Sequence, residues 1–342
     1  MALFLYYHYS MQIFNELNKN PNLSLALGFF DGVHLGHKKV IESAVDFAKR
    51  NNTKSAIITF KDHPCCFLQR VNPKYILTRK ERQQKIEELG VDFLYELDFE
   101  SIAGLTAEDY LKSVLVDNFM PSAISTGWNH NFGYKKSGDT KFLRENSKKF
   151  GYEYFELPPQ KINDEIISST AIRKYLKDGK IEKANQMLGY NFSITGEVVK
   201  GNQIGRTIGF RTANIDYPAE LIEIPFGVYE SVVKIYGHCE EACRRSNPVN
   251  STVDDISGLP RRTINCTARN DDFKHKAIAN YGIRPTINGN KPVLEVHILD
   301  FDEDIYGETL EVDFLRMLRP ERKFNSLDEL KEQINKDIMK IS

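Results

Sequence analysis

Gly28-Phe29-Phe30-Asp31-Gly32-Val33-His34-Leu35-Gly36-His37 stands where a β-rich run beginning at Ser24 gives way to a helical pattern over Lys38 to Asn51. Gly28, Gly32 and Gly36 let the backbone turn tightly and approach a ligand with no Cβ in the way. The helix that follows aims its unpaired N–H groups and positive dipole end at the same place, which suits a phosphate. His34 and His37 lie one tight turn apart and can put two imidazole donors on one phosphate group, where they would stabilise charge building up under attack. The plainer reading is a glycine-rich turn with two satisfied surface histidines. It fits an isolated histidine better than it fits His-x-Gly-His at the end of a strand. No Gly-x4-Gly-Lys-[Ser/Thr] run occurs, so a P-loop mechanism is not expected.

Outward from this turn, β-rich runs (Ser24 to Phe30, Ser55 to Phe60, Phe93 to Phe99, Ala123 to Trp128, Glu153 to Leu157) alternate with helical ones (Lys38 to Asn51, Thr78 to Leu89, Thr106 to Asn118, Asp139 to Phe150). Strands separated by helices predict a Rossmann-like, doubly wound parallel sheet, with ligands outside the C-terminal strand ends. Helical runs over Thr170 to Lys177 and Ile181 to Leu188 close this half before Gly189-Tyr190. Two more segments are expected at the same sheet edge. One is Gly127 to Gly133, carrying Asn129 and His130, with Lys135 and Lys136 close behind. The other is Ile167 to Arg173, where Ser168, Ser169 and Thr170 form an N-cap cluster and Arg173 follows in the first turn. His63-Pro64 is an even choice between a bystander and a site residue.

Beyond residue 190 the pattern becomes extended, over Phe192 to Val199, Val228 to Tyr236, Ala277 to Tyr281, Val293 to Leu299 and Leu310 to Leu315, with glycine and proline turns. In Val293 to Asp300, Leu294, Val296 and Ile298 take one face while Glu295 and His297 take the other. A small antiparallel β-barrel is predicted, closed by one helix announced by the capping residues Ser326 and Glu329. Gly196 to Asn214 is glycine-dense, and its loop, with Gly201, Gly205 and Arg206, can wrap a nucleotide through backbone N–H groups. Thr212 and Asn214 offer hard oxygen donors two residues apart, which suits Mg2+ shared with ATP phosphates. Glu295 can serve as a base for an attacking hydroxyl. Taken singly, each of these is as well explained as an ordinary turn or strand residue.

The chain has 342 residues, with 46 basic against 47 acidic side chains and a formal charge of −1. That balance offers no field for gripping nucleic acid or an anionic membrane, so the expected partners are small molecules. The five cysteines have no regular framework, no apolar stretch is long enough to span a bilayer, and the N-terminus lacks a signal-peptide pattern. A cytoplasmic enzyme is expected, with oligomeric state unread and residues 1–10 an extension or a misassigned start. Residues between Tyr236 and Lys276 differ in composition, being polar, arginine-rich and home to Cys239, Cys243 and Cys266. Without a Cys-x2-Cys pair this reads better as a surface loop between two barrel strands than as a zinc site.

Leu27 to His37, Phe132 to Asp139 and Ile167 to Arg173 resemble the adenylyltransferase module of bacterial bifunctional riboflavin kinase/FAD synthetases. Residues 190 to 337 resemble the riboflavin kinase module through Thr212-Ala213-Asn214, Gly227-Val228-Tyr229, Gly282 to Thr286, Leu294 to Phe301, Tyr306-Gly307 and Glu321 to Phe324. The resemblance implies an adenylyltransferase domain over 11–188 and a kinase domain over 189–340, with a surface insertion at about 237–275. It implies ATP as co-substrate, riboflavin, FMN and FAD as substrates and products, and Mg2+. His34, His37, Asn129 and Arg173 would act on the ATP phosphates, with Gly28, Phe30, Asp31, Gly36, Ser168, Ser169 and Thr170 bordering the nucleotide. Glu295 would be the kinase base. Three departures stand out: Phe29 replaces the family's usual asparagine, His130 an aromatic residue, and Arg211 the proline of Pro-Thr-Ala-Asn. A chain with adenylyl transfer alone, its kinase half reduced to a flavin platform, is the alternative; a flavin carrier without catalysis is a more distant one. The insertion resembles peptides encoded by palindromic repeats that enter genes of some intracellular bacteria in frame, and is expected to be exposed and dispensable.

Overall fold

The computed structural model describes residues 11–200, 209–237, 274–286 and 289–341. The chain divides into two compact units. One comprises the chain up to Leu176 with Gln186–Tyr190 and Glu220–Glu223; the other comprises Lys177–Asn185, Asn191–Ala219 and the chain from Ile224.

The first unit is built on β1 (Gln12–Phe14), β2 (Leu23–Leu27), α1 (Leu35–Arg50), β3 (Lys54–Phe60), α2 (Pro64–Gln69), α3 (Arg79–Glu87) and β4 (Phe93–Leu97). Next come α4 (Ala107–Asp109), a π-helical stretch Tyr110–Val116, α5 (Asp117–Phe119) and β5 (Ala123–Gly127). A hairpin of β6 (Asn131–Phe132) and β7 (Gly138–Asp139) leads to α6 (Thr140–Phe150) and β8 (Glu153–Leu157). The six long-range strands pair in parallel in the order β1-β4-β3-β2-β5-β8. The order reverses at β2, so the turn after Leu27 opens at the topological switch point, where a ligand crevice forms. Both faces are covered. Leu23, Leu25 and Leu27 pack into one core with Ile58 and Ile124, and Ala26 into the other with Ile57 and Val40. This two-sided burial is why β2 reads as an apolar run broken only by Ser24.

The expected helix over Thr106 to Asn118 is interrupted by wider π turns, which bring Tyr110, Leu111, Val114 and Leu115 all into the core. β1 and α2, at three and six residues, are too short to have shown a periodicity. A second hairpin, β9 (Lys161–Ile162) and β10 (Glu165–Ile166), turns through Asn163 and Asp164 at φ 48° and 65°. It leads to α7 (Ser169–Lys177) and α8 (Ile181–Leu188).

In the second unit, β11 (Ser193–Val199), β12 (Ala213–Asp216), β13 (Gly227–Tyr236), β14 (His275–Thr286), β15 (Gly289–Ile298) and β16 (Thr309–Pro320) form a closed antiparallel barrel. Leu294 and Val296 are fully buried with Tyr229, Tyr281 and Phe314, while Glu295 and His297 take the other face, as the alternation requires. Part of that outer face is covered by α9 (Leu327–Met339) and the residues just after it, with Ile338 and Ile341 against Val228 and Ile278. Ser326 caps α9 at Glu329 N–H, 3.1 Å away, but the Glu329 carboxylate reaches back to the N–H of Asn325 (3.0 Å) rather than of Ser326. β13 and β14 are adjacent antiparallel strands, paired from Gly227↔Tyr281 to Val233↔His275, so the insertion occupies a hairpin connection. Its residues 238–273, with Cys239, Cys243 and Cys266, lie outside the described residues, as do residues 1–10 and Gly201, Gly205 and Arg206.

Candidate active sites

Gly28 turns the chain over the ring of Phe30, where a Cβ would stand 2.8 Å from Phe30 Cζ, and Gly32 follows at φ +80°. Phe30 is itself buried and meets the His37 ring edge-on at 5.3 Å, so it props the histidine. His34 is the N-cap of α1, its Nδ1 accepting the His37 N–H at 3.2 Å. With Nδ1 an acceptor, the neutral ring carries its proton on Nε2. The His37 ring stacks on it with centroids 3.5 Å apart and planes at 17°. Burial pushes the His34 imidazole down to about 4 and His37 well below its usual range, with neighbouring His34 and the positive Arg173 adding to the effect on His37. Both are thus uncharged hydrogen-bond donors at neutral pH.

Asp31 is 3% exposed, and its carboxylate accepts the N–H groups of Ile76 (3.1 Å) and Leu77 (3.4 Å) and the guanidinium of Arg173. Burial raises its carboxyl above the usual range against the pull of Arg173 and those N–H groups. Arg173 also donates through Nε to the Lys74 carbonyl at 3.1 Å, so among the described residues two of its five N–H donors are held by protein. Ser168 Oγ accepts the Ala171 N–H (3.2 Å) and so caps α7, whereas Ser169 Oγ donates to the Asp31 carbonyl (3.0 Å). Tyr190 donates to the Gly32 carbonyl at 2.6 Å. Asp31 therefore acts on the arginine and the turn, not outward.

These groups open on one cavity of about 480 Å³, where the turn at Gly28 to His37, the segment Ile167 to Arg173 and the loop Gly127 to Asn131 converge as the sequence predicts. Asn129 stands exposed on its lining. Lys135 and Lys136 are not on the lining; they occupy left-handed backbone at φ 53° and 59°. His63, undecided in the sequence, does line it, and caps α2 by accepting the Cys65 N–H at 3.2 Å. Pro158 and Pro159, just after β8, line it too; their position beyond a strand end was the available signal.

The two departures in this half have packing explanations. Phe29 lies 4.5 Å over the guanidinium of Arg82, with His63 (4.9 Å) and Tyr75 (5.9 Å) at its sides. Arg82 is buried against fully buried Glu96 at 2.8 Å and donates to the Phe60 carbonyl at 2.9 Å, so Phe29 roofs a buried ion pair. His130 stacks on Phe132 at 5.7 Å, its Nε2 buried without a partner among the described residues and its imidazole pushed down to about 4 by burial.

In the second unit, Asn214 pairs with Glu295 across β12 and β15, and Glu295 pairs with Asn280 across β15 and β14. The three share one row on the face opposite Leu294 and Val296. Asn214 is 3% exposed and Glu295 half-buried. Asn280 carries no sequence signal of its own and enters the row only through strand register. Thr212, immediately before β12, lines a small cavity of about 70 Å³ with Arg211, Glu303 and Tyr306. Among the described residues no cluster of three His, Cys, Asp or Glu side chains could hold a metal ion. The hydroxyl of Thr212 and the amide of Asn214 suit a magnesium ion that draws its remaining oxygens from substrate phosphates, so the residues present fit that ion.

The FAD synthetase family model matches residues 16–171 and the riboflavin kinase family model residues 188–342. Over 331 residues, 95% of both chains, the sequence is 33% identical to the bifunctional riboflavin kinase/FMN adenylyltransferase of Buchnera aphidicola. It is 32% identical to the enzyme of the same description from Haemophilus influenzae, over 92% of each chain. A solved structure from Streptococcus pneumoniae, described as a macrolide-efflux protein, superposes with a TM-score of 0.77 at 30% identity, covering 96% of this chain and 98% of that one. Among the described residues of this chain, no helix is long and apolar enough to cross a membrane. With a relative this similar along nearly the whole of both chains, the protein belongs to the bifunctional riboflavin kinase/FMN adenylyltransferase family.

Proposed function

We propose that this chain phosphorylates riboflavin to FMN in a domain over 189–340 and adenylylates FMN to FAD in a domain over 11–188. The observation that carries the second reaction is the convergence of two helix N-termini, two stacked neutral histidines and Arg173 on one cavity at the sheet's switch point. An FMN phosphate oxygen attacks the α-phosphorus of ATP, the bond to the bridging oxygen breaks, and pyrophosphate leaves. His34 and His37 donate hydrogen bonds to the α-phosphate oxygens as charge grows there. Arg173, aimed by Asp31 and Lys74, holds the departing phosphates together with the N-terminus of α7, and Asn129 assists at the rim.

In the barrel domain Glu295 takes the proton from the riboflavin 5′-hydroxyl as it attacks the γ-phosphorus, and ADP leaves. Thr212 and Asn214 hold the Mg-ATP end, with Gly201, Gly205 and Arg206 in the loop about the nucleotide. Magnesium, when bound, offsets phosphate charge. The cytoplasm, where ATP and riboflavin are available, is the expected compartment, and neither nucleic acid nor membrane is needed.

The test is incubation of the purified chain with Mg-ATP and either riboflavin or FMN, with the flavins resolved by chromatography. Riboflavin should yield FMN and FAD, and FMN should yield FAD. FMN consumed while riboflavin is untouched would remove the kinase reading; no FAD from FMN would remove the adenylyl-transfer reading.

A further inference from the structure

Arg211 occupies the place where a proline would fix φ just ahead of Thr212. Its carbonyl oxygen lies 2.8 Å from His297 Nδ1, which must donate because a carbonyl only accepts. Its guanidinium donates to the carbonyl of Asp302. The His297 ring is fixed in turn by Phe210, which meets it edge-on at 5.2 Å. One residue is thereby tied to β15 through its backbone and to the segment between β15 and β16 through its side chain. That segment is itself anchored where Gly307 N–H meets the Val198 carbonyl at 2.9 Å.

We propose that Arg211 and His297 are positioning residues for riboflavin phosphorylation, forming a clasp that replaces the missing proline in holding Thr212. A proline stiffens the chain from within by removing freedom in φ; the clasp confines the same residue from two sides by hydrogen bonds. It also does what proline cannot, tying the wall that carries Glu303 and Tyr306 to Thr212. The proposal rests on Thr212 serving the Mg-ATP end of the kinase reaction.

Arg211→Ala and His297→Ala should each weaken Mg-ADP binding, measured by calorimetry without turnover, and raise KM for Mg-ATP in riboflavin phosphorylation by roughly tenfold, the worth of one or two well-placed hydrogen bonds. The kcat should change less, and FMN adenylylation not at all. The Arg211 amide makes no hydrogen bond among the described residues, so Arg211→Pro loses none there. Arg211→Pro should recover most of the Mg-ADP affinity. Hydrogen exchange read on peptides distinguishes the clasp from the reading beneath it. Arg211→Ala should speed exchange over both 209–214 and 300–306, whereas Arg211→Pro should restore protection only in the first. Unchanged exchange in Arg211→Ala, or Arg211→Pro binding Mg-ADP no better than Arg211→Ala, would overturn the clasp. Faster exchange with a Thr212→Val variant of full kinase activity would instead remove the role given to Thr212.

Discussion

Arg173 is ion-paired to Asp31 across 142 residues of sequence, joining α7 to the turn that follows β2. Asp31 is buried and Arg173 a quarter exposed, so the carboxylate is the fixed partner and the guanidinium the one presented to the cavity. Asp31→Asn should cost about 3 kcal/mol of stability in the first unit, because it removes one charge of a largely buried pair. FMN adenylylation should fall by roughly a hundredfold as Arg173 loses its aim. Riboflavin phosphorylation in the same sample is the control. Full adenylylation by Asp31→Asn would show that Arg173 needs no such anchor.

His34 and His37 are uncharged at neutral pH because burial disfavours their imidazolium forms. FMN adenylylation should therefore pass through pH 6.5 without the loss expected of an essential imidazolium. The paired substitution His34→Ala/His37→Ala should lower its kcat by about a hundredfold or more, the usual scale for removing donors to a developing oxyanion. A pH–rate profile that falls with an apparent pKa near 6.5 on the alkaline side would contradict the neutral-donor role.

Protonation also sets the acid stability of the first unit. Above pH 6.5 a histidine with a lowered pKa is neutral in both folded and unfolded chains. Between 6.5 and about 4 only the unfolded chain takes up the proton, so stability falls with falling pH across that window. His130 is one source, and its buried Nε2 lacks a partner among the described residues besides. His130→Phe should raise stability at pH 7 by about 1–2 kcal/mol and flatten the decline toward pH 5. Urea unfolding followed by Trp128, the chain's single tryptophan, reads this unit. Equal pH slopes for parent and variant would show that His130 is not a source.

The shelf made by Phe29 over Arg82 should be separable from simple volume. Phe29→Leu keeps most of the packing but loses the ring face, and should cost about 1 kcal/mol; Phe29→Ala should cost about 2 kcal/mol. The same unfolding measurement decides, and a Phe29→Leu variant as stable as the parent would mean that the ring's charge distribution contributes nothing over Arg82.

Replacing residues 238–273 by a four-residue turn should leave both activities within about twofold, since β13 and β14 are already paired beside that connection. Closing a shorter loop should add about 1–2 kcal/mol to the barrel's stability. Loss of barrel folding, seen as loss of riboflavin phosphorylation with adenylylation intact, would show that the insertion contributes to the core.

By itself the sequence determined the class of each half and the address of the glycine-rich turn. Strand and helix periodicity, the glycines at 28 and 32, and the caps at Ser168 and Ser326 are local properties, written within a few residues of where they act. Relations between distant segments were decided only by tertiary structure. That Asp31 aims Arg173, that His63 joins the cavity, that Phe29 roofs Arg82 and that Asn280 sits beside Glu295 all depend on which strand lies next to which. β2 carries the site because the strand order reverses there, and no residue of β2 records that reversal. The same holds for Arg211. Read along the chain it is a lost proline, and only the packing of β12 against β15 supplies the imidazole that takes over part of the proline's work.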